Sequence, residues 1–261
     1  MKALIKKLVQ YFIPSFRTQV CNSEHRRLGI CINFRIPTHS NLVAITFDDG
    51  PSEGVNPEYL KSISAESSYN SQCTNEVLNI LRQYNAKATF FVCGEHIKGP
   101  AIETLKQTHA EGHEIAVHCW HHGESFHKLR QDTLLNEVMN TKQLITQVTG
   151  EVPSCVRPPR GETESVTTQL LFSHAGLRTI LWQETAFDWL SYTPEQSVKE
   201  ILKTIGPGSI VLLHDIYRYT PETVNMLLAE LQKRGLNSTT VSELIKQSDD
   251  AAQYMPVPVR H

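Results

Sequence analysis

The sequence predicts an α/β fold, a distorted or incomplete (β/α)7-8 barrel, and three observations support this prediction. Apolar runs of four to six residues alternate with longer segments of helical periodicity, which is the pattern of β-α units around a parallel sheet. Seven such runs are present, close to the number in a full barrel. Several of them end in residues suited to metal or acid-base chemistry, as strands of β/α barrels do. An open doubly wound sheet places ligands similarly and is the alternative.

The predicted elements follow in chain order. The strands are residues 42–47, 88–92, 113–118, 154–157, 179–182, 209–214 and 238–241. Helical periodicity predicts intervening helices, including residues 74–84 and 221–234. The segment 52–73 is rich in Ser, Asn and Glu, and its length predicts an inserted functional or mobile loop that overhangs the site.

Length and composition predict one large globular domain. The chain has 261 residues, of which 40% are hydrophobic and 20% charged, and single barrels commonly reach this length. The barrel domain is predicted at 41–246, after an N-terminal amphipathic helix and lead-in at 1–40 and before a tail at 247–261. The net charge of -2 offers no basic surface to nucleic acid. No Gly-rich phosphate-binding motif is present.

The cysteines and the N-terminal segment provide the predictions about cellular location. Six cysteines without a CxxC pair predict reduced thiols in a cytoplasmic protein. No apolar run approaches the roughly 20 residues of a membrane-spanning helix. Residues 2–13 place lysines opposite apolar residues at helical spacing. We expect this segment either to pack on the domain or to make a peripheral contact at the cytoplasmic membrane surface.

Two segments predict a metal site. An apolar strand is followed at once by Asp48 and Asp49, and two buried carboxylates repel each other unless a cation or a proton lies between them. Another strand leads into His118, His121 and His122. Two imidazoles and one carboxylate form a three-ligand site with open positions, as catalytic zinc and related ions require. Spacing alone leaves open which two histidines bind.

Residues suited to proton transfer follow other strands. If Asp49 is a ligand, Asp48 is available as the general base toward a metal-bound water. His214 ends a strand and suits a general acid that protonates a leaving amine. Its carboxylate partner is predicted to be Asp188, with Asp215 as the alternative.

Arg157 and Arg160 flank two prolines. Arg157 is predicted to place a permanent cation beside Asp48 and keep it ionised, with a purely structural salt bridge as the alternative. The backbone N–H of Arg160 is a candidate donor to a developing oxyanion, because neither proline has an N–H to offer.

Five short motifs lie in a fixed order within residues 46–215. They are Thr46-Phe47-Asp48-Asp49-Gly50, the pair His118 and His122, Arg157-Pro158-Pro159, Asp188-Trp189, and the pair Leu212 and His214. With these motifs the sequence resembles the polysaccharide deacetylases of carbohydrate esterase family 4, the NodB-homology group. The resemblance implies a NodB-type barrel and metal ligation by Asp49, His118 and His122 rather than His121.

The resemblance also implies roles for residues around the metal. It makes Asp48 the base, His214 the acid, and Asp188 the residue that tunes this acid. An apolar pocket for the acetyl methyl group is expected beside the acid. Three residues are predicted to bind the substrate: Trp189, Leu212 and Pro159.

The sequence departs from the family pattern at three positions. Cys119 stands where a hydroxyl residue usually supports a ligand imidazole, so it bears on metal affinity and metal preference. Arg160 stands where an aromatic residue is common, which changes the wall of the groove. Thr185 replaces the first Asp of the fourth motif. The resemblance does not extend to residues 1–40 or 52–73.

The predicted function is metal-dependent removal of the N-acetyl group from an amino sugar in a polysaccharide or envelope glycan precursor. The expected cofactor is one divalent metal, zinc, with cobalt or another divalent ion as alternatives. Peptidoglycan, chitooligosaccharide and a lipid-linked amino sugar are all candidate substrates. A catalytically impaired carbohydrate-binding protein is the alternative function, although ligands and acid are all present. A two-metal phosphoesterase is disfavoured, since no second set of bridging ligands is evident.

Overall fold

The computed structural model describes residues 30–32, 35–123, 126–162, 164–190 and 192–248. Its strands form one sheet, and every pairing between these strands is parallel. They are β1 (Cys31–Ile32), β2 (Leu42–Asp48), β3 (Thr89–Cys93), β4 (Glu114–Cys119), β5 (Cys155–Val156), β6 (Arg178–Ile180), β7 (Glu184–Thr185), β8 (Ile210–His214) and β9 (Asn237–Thr239). Because the strands are parallel, their C-terminal ends share one edge.

The strand order is that of a barrel with one gap. Along the sheet it runs β1-β6-β5-β4-β3-β2-β8-β7, and β9 pairs with the first part of β2. The chain moves outward from β2 to β6, then returns at the opposite end as β7 and proceeds inward to β8. A doubly wound sheet would instead return beside its first strand and move outward. The prediction of an incomplete barrel is confirmed.

All seven predicted strands are present, with boundaries displaced by one or two residues. Two further strands, β1 and β7, were not predicted. Each has only two residues and therefore gives no periodic signal in the sequence. They pair with β6 and β8 respectively and form the two ends of the strand path.

Eight α-helices are described: α1 (Pro57–Ser62), α2 (Cys73–Gln83), α3 (Ala101–Ala110), α4 (Gln131–Thr149), α5 (Ser165–Ala175), α6 (Pro194–Ile201), α7 (Thr220–Lys233) and α8 (Val241–Lys246). The helices predicted at 74–84 and 221–234 correspond to α2 and α7. The face of α2 that carries Val77, Leu78 and Leu81 is buried in the main apolar core, because these residues are spaced at the helical period.

The segment 52–73, predicted as an inserted loop, contains helix α1 and packs against the residues after β8. Val55 and Leu60 are buried with Ile216 in a separate apolar cluster. Two backbone hydrogen bonds, 2.9 and 2.7 Å long, also join the segment to the chain after β8. The loop prediction is therefore corrected, because the apolar residues of this segment form a small core of their own.

Residues ahead of the predicted domain start also join the sheet. Strand β1 pairs with β6, and the backbone N–H of Ile36 donates to the carbonyl oxygen of Gly208 at 2.9 Å. The amphipathic segment 2–13 and the tail from residue 249 lie outside the described residues, so the domain boundaries, the membrane contact and the cytoplasmic location stay predictions. Among the described helices, none combines the length and apolar character needed to cross a bilayer.

Candidate active site

The C-terminal ends of β2, β4 and β8 open onto one cavity. Asp48 at the end of β2 is in register with His214 at the end of β8, and His118 lies one residue before the end of β4. The cavity has a volume of about 190 Å³. Most of the residues that line it are ionisable or aromatic, and the full set is Asp48, Asp49, Tyr59, Ser62, Ile63, His118, His122, Arg160, Trp182, Trp189, Leu212, His214 and Tyr217.

Three side chains converge at one point of this cavity. Asp49 Oδ1 lies 3.4 Å from His118 Nε2 and 3.7 Å from His122 Nε2. The three ligand atoms all lie within 4.8 Å of one another, and no other such group was found among the described residues. The structure therefore brings together the three residues that the family resemblance implies as metal ligands.

The chemistry of this group fits a divalent ion. Asp49 Oδ1 is buried and accepts no hydrogen bond, which is unfavourable for a carboxylate without a cation. His118 Nδ1 lies 2.6 Å from the carbonyl oxygen of Arg157, so Nδ1 donates and the lone pair of Nε2 faces Asp49. Burial lowers the pKa of His122 to about 4, which leaves its imidazole neutral and able to bind a metal.

His121 lies outside this group. Its side chain is 60% exposed, and Nδ1 is 3.1 Å from Glu137 Oε1 on helix α4. The other oxygen of Glu137 accepts hydrogen bonds from the backbone N–H groups of Trp120 and His121. The geometry therefore favours His118 and His122 as the histidine pair.

Arg157 holds Asp48 from inside the barrel. Its guanidinium is completely buried, and Nη1 donates to Asp48 Oδ1 and to Thr46 Oγ1, both at 2.7 Å. The remaining nitrogens donate to the carbonyl oxygens of Ile180 and Leu181 at 3.1 and 3.2 Å. The guanidinium thus compensates the charge of Asp48 and fixes which of its oxygens faces inward.

His214 contacts Asp188 through two groups. His214 Nδ1 lies 2.8 Å from Asp188 Oδ1, and the backbone N–H of His214 donates to Oδ2 at 2.7 Å. Burial lowers the pKa of His214, but the Asp188 carboxylate outweighs this effect and raises the pKa to about 9. The imidazole is therefore protonated at neutral pH, with Nε2 left for the cavity.

Asp215, the alternative partner, does not contact this imidazole. Its Oδ2 accepts a hydrogen bond from Thr74 Oγ1 at 2.7 Å. Burial raises the pKa of Asp215 to about 7. A Cβ atom on Gly50 would lie only 2.3 Å from Asp215 Oδ2, which explains why glycine follows the two aspartates.

Arg160 has a left-handed backbone conformation, with φ 58° and ψ 8°. The turn is closed by a 2.9 Å hydrogen bond from the backbone N–H of Gly161 to the carbonyl oxygen of Pro158. Arg160 lines the cavity, as do two of the predicted substrate-binding residues, Trp189 and Leu212. The third, Pro159, is buried and is not among the lining residues. The oxyanion role of the Arg160 N–H stays a prediction.

The side chains at the two other departures from the family pattern, Cys119 and Thr185, have partners other than the ligand imidazoles. The Cys119 thiol is buried against Cys93, with 3.6 Å between the two sulfur atoms. His118 is supported instead by the carbonyl oxygen of Arg157. Thr185 accepts a long hydrogen bond of 3.4 Å from the backbone N–H of Phe187.

Five residues that line the cavity were not predicted from the sequence: Tyr59, Ser62, Ile63, Trp182 and Tyr217. The first three belong to the segment 52–73, which no motif covers. Trp182 and Tyr217 follow the ends of β6 and β8 by two and three residues. Their position after barrel strands is the signal that would have found them.

Comparison with known proteins supports the family resemblance. A family model described as polysaccharide deacetylase matches residues 35–180. A peptidoglycan-N-acetylglucosamine deacetylase from Bacillus cereus is 33% identical over 82% of this chain and 93% of its own length. The peptidoglycan-N-acetylglucosamine deacetylase PgdA from Listeria monocytogenes is 30% identical over 77% of this chain, which spans only 38% of that relative.

Similarity to a solved structure supports the same family. The family 4 acetyl xylan esterase from Clostridium thermocellum, determined in complex with a cobalt ion, is 30% identical over 78% of this chain and 90% of that one, with a TM-score of 0.66. The barrel, the five motifs and these similarities together show that the chain belongs to the polysaccharide deacetylases of carbohydrate esterase family 4, the NodB-homology group.

Proposed function

We propose that this chain is a metal-dependent carbohydrate N-deacetylase that hydrolyses the N-acetyl group of an amino sugar. The observation that carries the proposal is the placement of three functional groups around one cavity. A carboxylate held by arginine, a three-residue ligand group and a protonated histidine all face it. Amide hydrolysis needs a base for the water, polarisation of the carbonyl, and an acid for the leaving amine.

Asp49, His118 and His122 would hold one divalent ion, which we propose to be zinc. Two neutral imidazoles and a carboxylate are a ligand set of hydrolytic zinc sites, and cobalt accepts the same donors. When bound, such an ion polarises an acyl carbonyl and lowers the pKa of water.

The residues of the chain then divide the proton transfers between them. Asp48 takes a proton from the water whose oxygen attacks the acetyl carbon, while Arg157 keeps the carboxylate oriented. The backbone N–H of Arg160 donates to the oxyanion of the tetrahedral intermediate. His214 gives its proton to the sugar nitrogen as the carbon–nitrogen bond breaks, which releases acetate and a free amine. Asp188 stabilises the imidazolium until that step.

The proposed substrate is an N-acetylated glycan of the cell envelope, with peptidoglycan as the first candidate. The Bacillus and Listeria relatives named above are peptidoglycan-N-acetylglucosamine deacetylases. The aromatic side chains of Trp182, Trp189 and Tyr217 line the cavity, and such rings suit the apolar faces of sugars. Leu212 supplies an apolar contact for the acetyl methyl group.

Acetate release tests the proposal. The metal-stripped protein and the zinc- or cobalt-restored protein are incubated with peptidoglycan, chitooligosaccharide and a lipid-linked N-acetylhexosamine. We expect release from at least one substrate only after metal is restored. Release that is independent of metal would contradict the mechanism. Tight metal binding without release from any substrate would instead favour the impaired carbohydrate-binding protein.

A further inference from the structure

The segment 52–73 reaches the proposed metal site through one side chain. Tyr59, on helix α1, is 6% exposed and lines the cavity. Its hydroxyl donates a hydrogen bond of 2.6 Å to Asp49 Oδ2. None of the five family motifs contains this residue. The contact therefore links an insertion, which the motifs leave unexplained, to one of the three ligand residues.

This hydrogen bond gives the two oxygens of Asp49 different environments. Oδ2 is occupied by the Tyr59 hydroxyl, whereas Oδ1 accepts no hydrogen bond and faces the two ligand imidazoles. A carboxylate held in this way presents a single oxygen to a metal. It also cannot rotate about its terminal bond without breaking a short, charge-assisted hydrogen bond.

The tyrosine ring contacts a second ligand. It packs edge-on against the His122 ring, with centroids 5.4 Å apart and an interplanar angle of 63°. On another side it contacts His96, at 5.3 Å between centroids. His96 Nδ1 in turn lies 2.7 Å from the backbone carbonyl oxygen of Asp49, whose φ of 77° is left-handed. Tyr59 therefore constrains two of the three ligands directly.

The position of Tyr59 is fixed by the rest of the segment. Asn56 caps helix α1, because its side chain accepts a hydrogen bond from the backbone N–H of Glu58 at 3.0 Å. Pro57 occupies the first turn, where its fixed φ suits a helix start. Leu60, the next residue after Tyr59, is buried against Ile216 in the small apolar cluster. A short helix anchored at its start and by its apolar face holds the hydroxyl in place.

We propose that Tyr59 is a positioning residue of the metal site, and that the segment 52–73 serves to deliver it. Its hydroxyl fixes the Asp49 carboxylate so that Oδ1 alone would be available to a bound ion, and its ring orients His122. The inference deepens the proposed function and rests on the metal site assigned there. It concerns the affinity for metal, which is measurable whether or not the sugar substrate is known.

The test compares two variants that each remove one phenolic hydroxyl from the same segment. Tyr59→Phe removes the donor to Asp49, and Tyr69→Phe removes a hydroxyl that donates to the carbonyl oxygen of Ser52. Zinc and cobalt affinities of the full chain are measured by competition with a chromophoric chelator. We expect Tyr59→Phe to weaken affinity by about 10- to 100-fold, as loss of a partner of a metal ligand commonly does. We expect Tyr69→Phe to bind metal like the wild type.

The absorption spectrum of bound cobalt supplies a second readout, since it reports coordination geometry. A spectrum altered in Tyr59→Phe and unchanged in Tyr69→Phe supports positioning, because a general loss of stability would not produce that difference. Equal zinc affinity in Tyr59→Phe and wild type, or equal weakening in both variants, would overturn the inference. Tyr59→Met, which removes both the hydroxyl and the ring, replaces Tyr59→Phe if the latter fails to unfold cooperatively, and we expect it to weaken metal affinity at least as much.

The result is separable from the proposed function. Wild-type protein that binds zinc and releases no acetate would remove the proposed activity and leave the role of Tyr59 intact. Wild-type protein that releases acetate, with Tyr59→Phe equal to it in metal affinity and in cobalt spectrum, would keep the activity and remove the role of Tyr59.

Discussion

Two buried carboxylates lie beside the same cavity and differ in the cation that each contacts. Asp48 contacts the guanidinium of Arg157, and Asp188 contacts the imidazole of His214. Both contacts are short, at 2.7 and 2.8 Å, and both carboxylates are nearly inaccessible to solvent. An arginine keeps its charge at every pH that a folded protein meets, whereas a histidine can lose its charge.

The difference suits the two pairs to different steps of the proposed reaction. Arg157 cannot give a proton to Asp48, so the carboxylate stays available to accept one from water. His214 carries a proton that Asp188 stabilises, and it can transfer that proton to the leaving nitrogen. The same kind of contact therefore maintains a base in one case and an acid in the other. The predictions below test this comparison.

The largest expected effect follows from removing the base. Asp48→Asn keeps the size of the side chain and loses its ability to take a proton from water. We expect the turnover number to fall by about 10²- to 10⁴-fold, the usual contribution of a general base. The measurement is kcat for acetate release by the zinc-loaded protein, with metal content checked for each sample. Turnover within a few-fold of wild type would assign the base elsewhere.

The free energies of unfolding of two amide variants distinguish the Asp48–Arg157 pair from the Asp188–His214 pair. Asp48→Asn leaves the buried Arg157 without its anion, which costs about 3–5 kcal/mol because the guanidinium cannot neutralise itself. Asp188→Asn leaves His214, which can release its proton, so the cost is smaller, about 1–3 kcal/mol. Urea unfolding of the metal-free variants at pH 7.5 measures both free energies. Equal losses would mean that the identity of the cation does not matter.

The pH dependence of activity tests the acid. Because His214 acts when protonated, kcat/KM is expected to fall as pH rises through a pKa near 9. A bound divalent cation repels the imidazolium and lowers its pKa. The metal-loaded protein should therefore show this alkaline limb of the kcat/KM profile at or below pH 9. In Asp188→Asn the limb should move toward about 6.5, the ordinary value for histidine. A limb that does not move in this variant would exclude His214 as the acid or Asp188 as its partner.

The same pair makes stability depend on pH. The pKa of His214 is raised in the folded protein above its unfolded value. The pair therefore contributes its full stabilisation below about pH 6.5, and the contribution is lost as pH rises through about 9. In Asp188→Asn this contribution to the pH dependence should disappear. The measurement is the free energy of unfolding of the wild type and of Asp188→Asn at pH 6 and at pH 9.5.

The sequence predicted the parts of the site that depend on strand ends. Asp48, His118 and His214 follow apolar runs, and parallel strands bring such positions to one edge. Spacing alone did not separate His121 from its neighbours, because the carboxylate that holds it comes from Glu137, a partner 16 residues away on helix α4. Contacts between distant segments leave no local pattern.

The structure of the segment 52–73 also depends on contacts with a distant part of the chain. Its polar composition predicted a loop, yet Val55 and Leu60 find an apolar partner in Ile216, far along the chain. The position of Tyr59 depends on that packing, so no motif could have pointed to its contact with Asp49. Strands β1 and β7 were missed for a different reason, since two residues carry no periodicity.

The smallest expected effect concerns Cys119, where the family pattern has a hydroxyl. His118 already receives its support from the backbone carbonyl oxygen of Arg157, the residue that also holds Asp48, and the Cys119 thiol faces Cys93. Cys119→Ser should therefore leave zinc affinity unchanged. It should lower the free energy of unfolding by about 1–3 kcal/mol, because a hydroxyl replaces a buried thiol in apolar surroundings.

Chelator competition and urea unfolding measure the two quantities in the same preparation. Cys93→Ser is the matched control, since it makes the same change at the residue that pairs with Cys119 on the neighbouring strand. A large gain in zinc affinity in Cys119→Ser, absent from Cys93→Ser, would show that the hydroxyl of the family pattern supports the imidazole here too. The carbonyl oxygen of Arg157 would then be an insufficient substitute for that hydroxyl, although it contacts His118 Nδ1 directly.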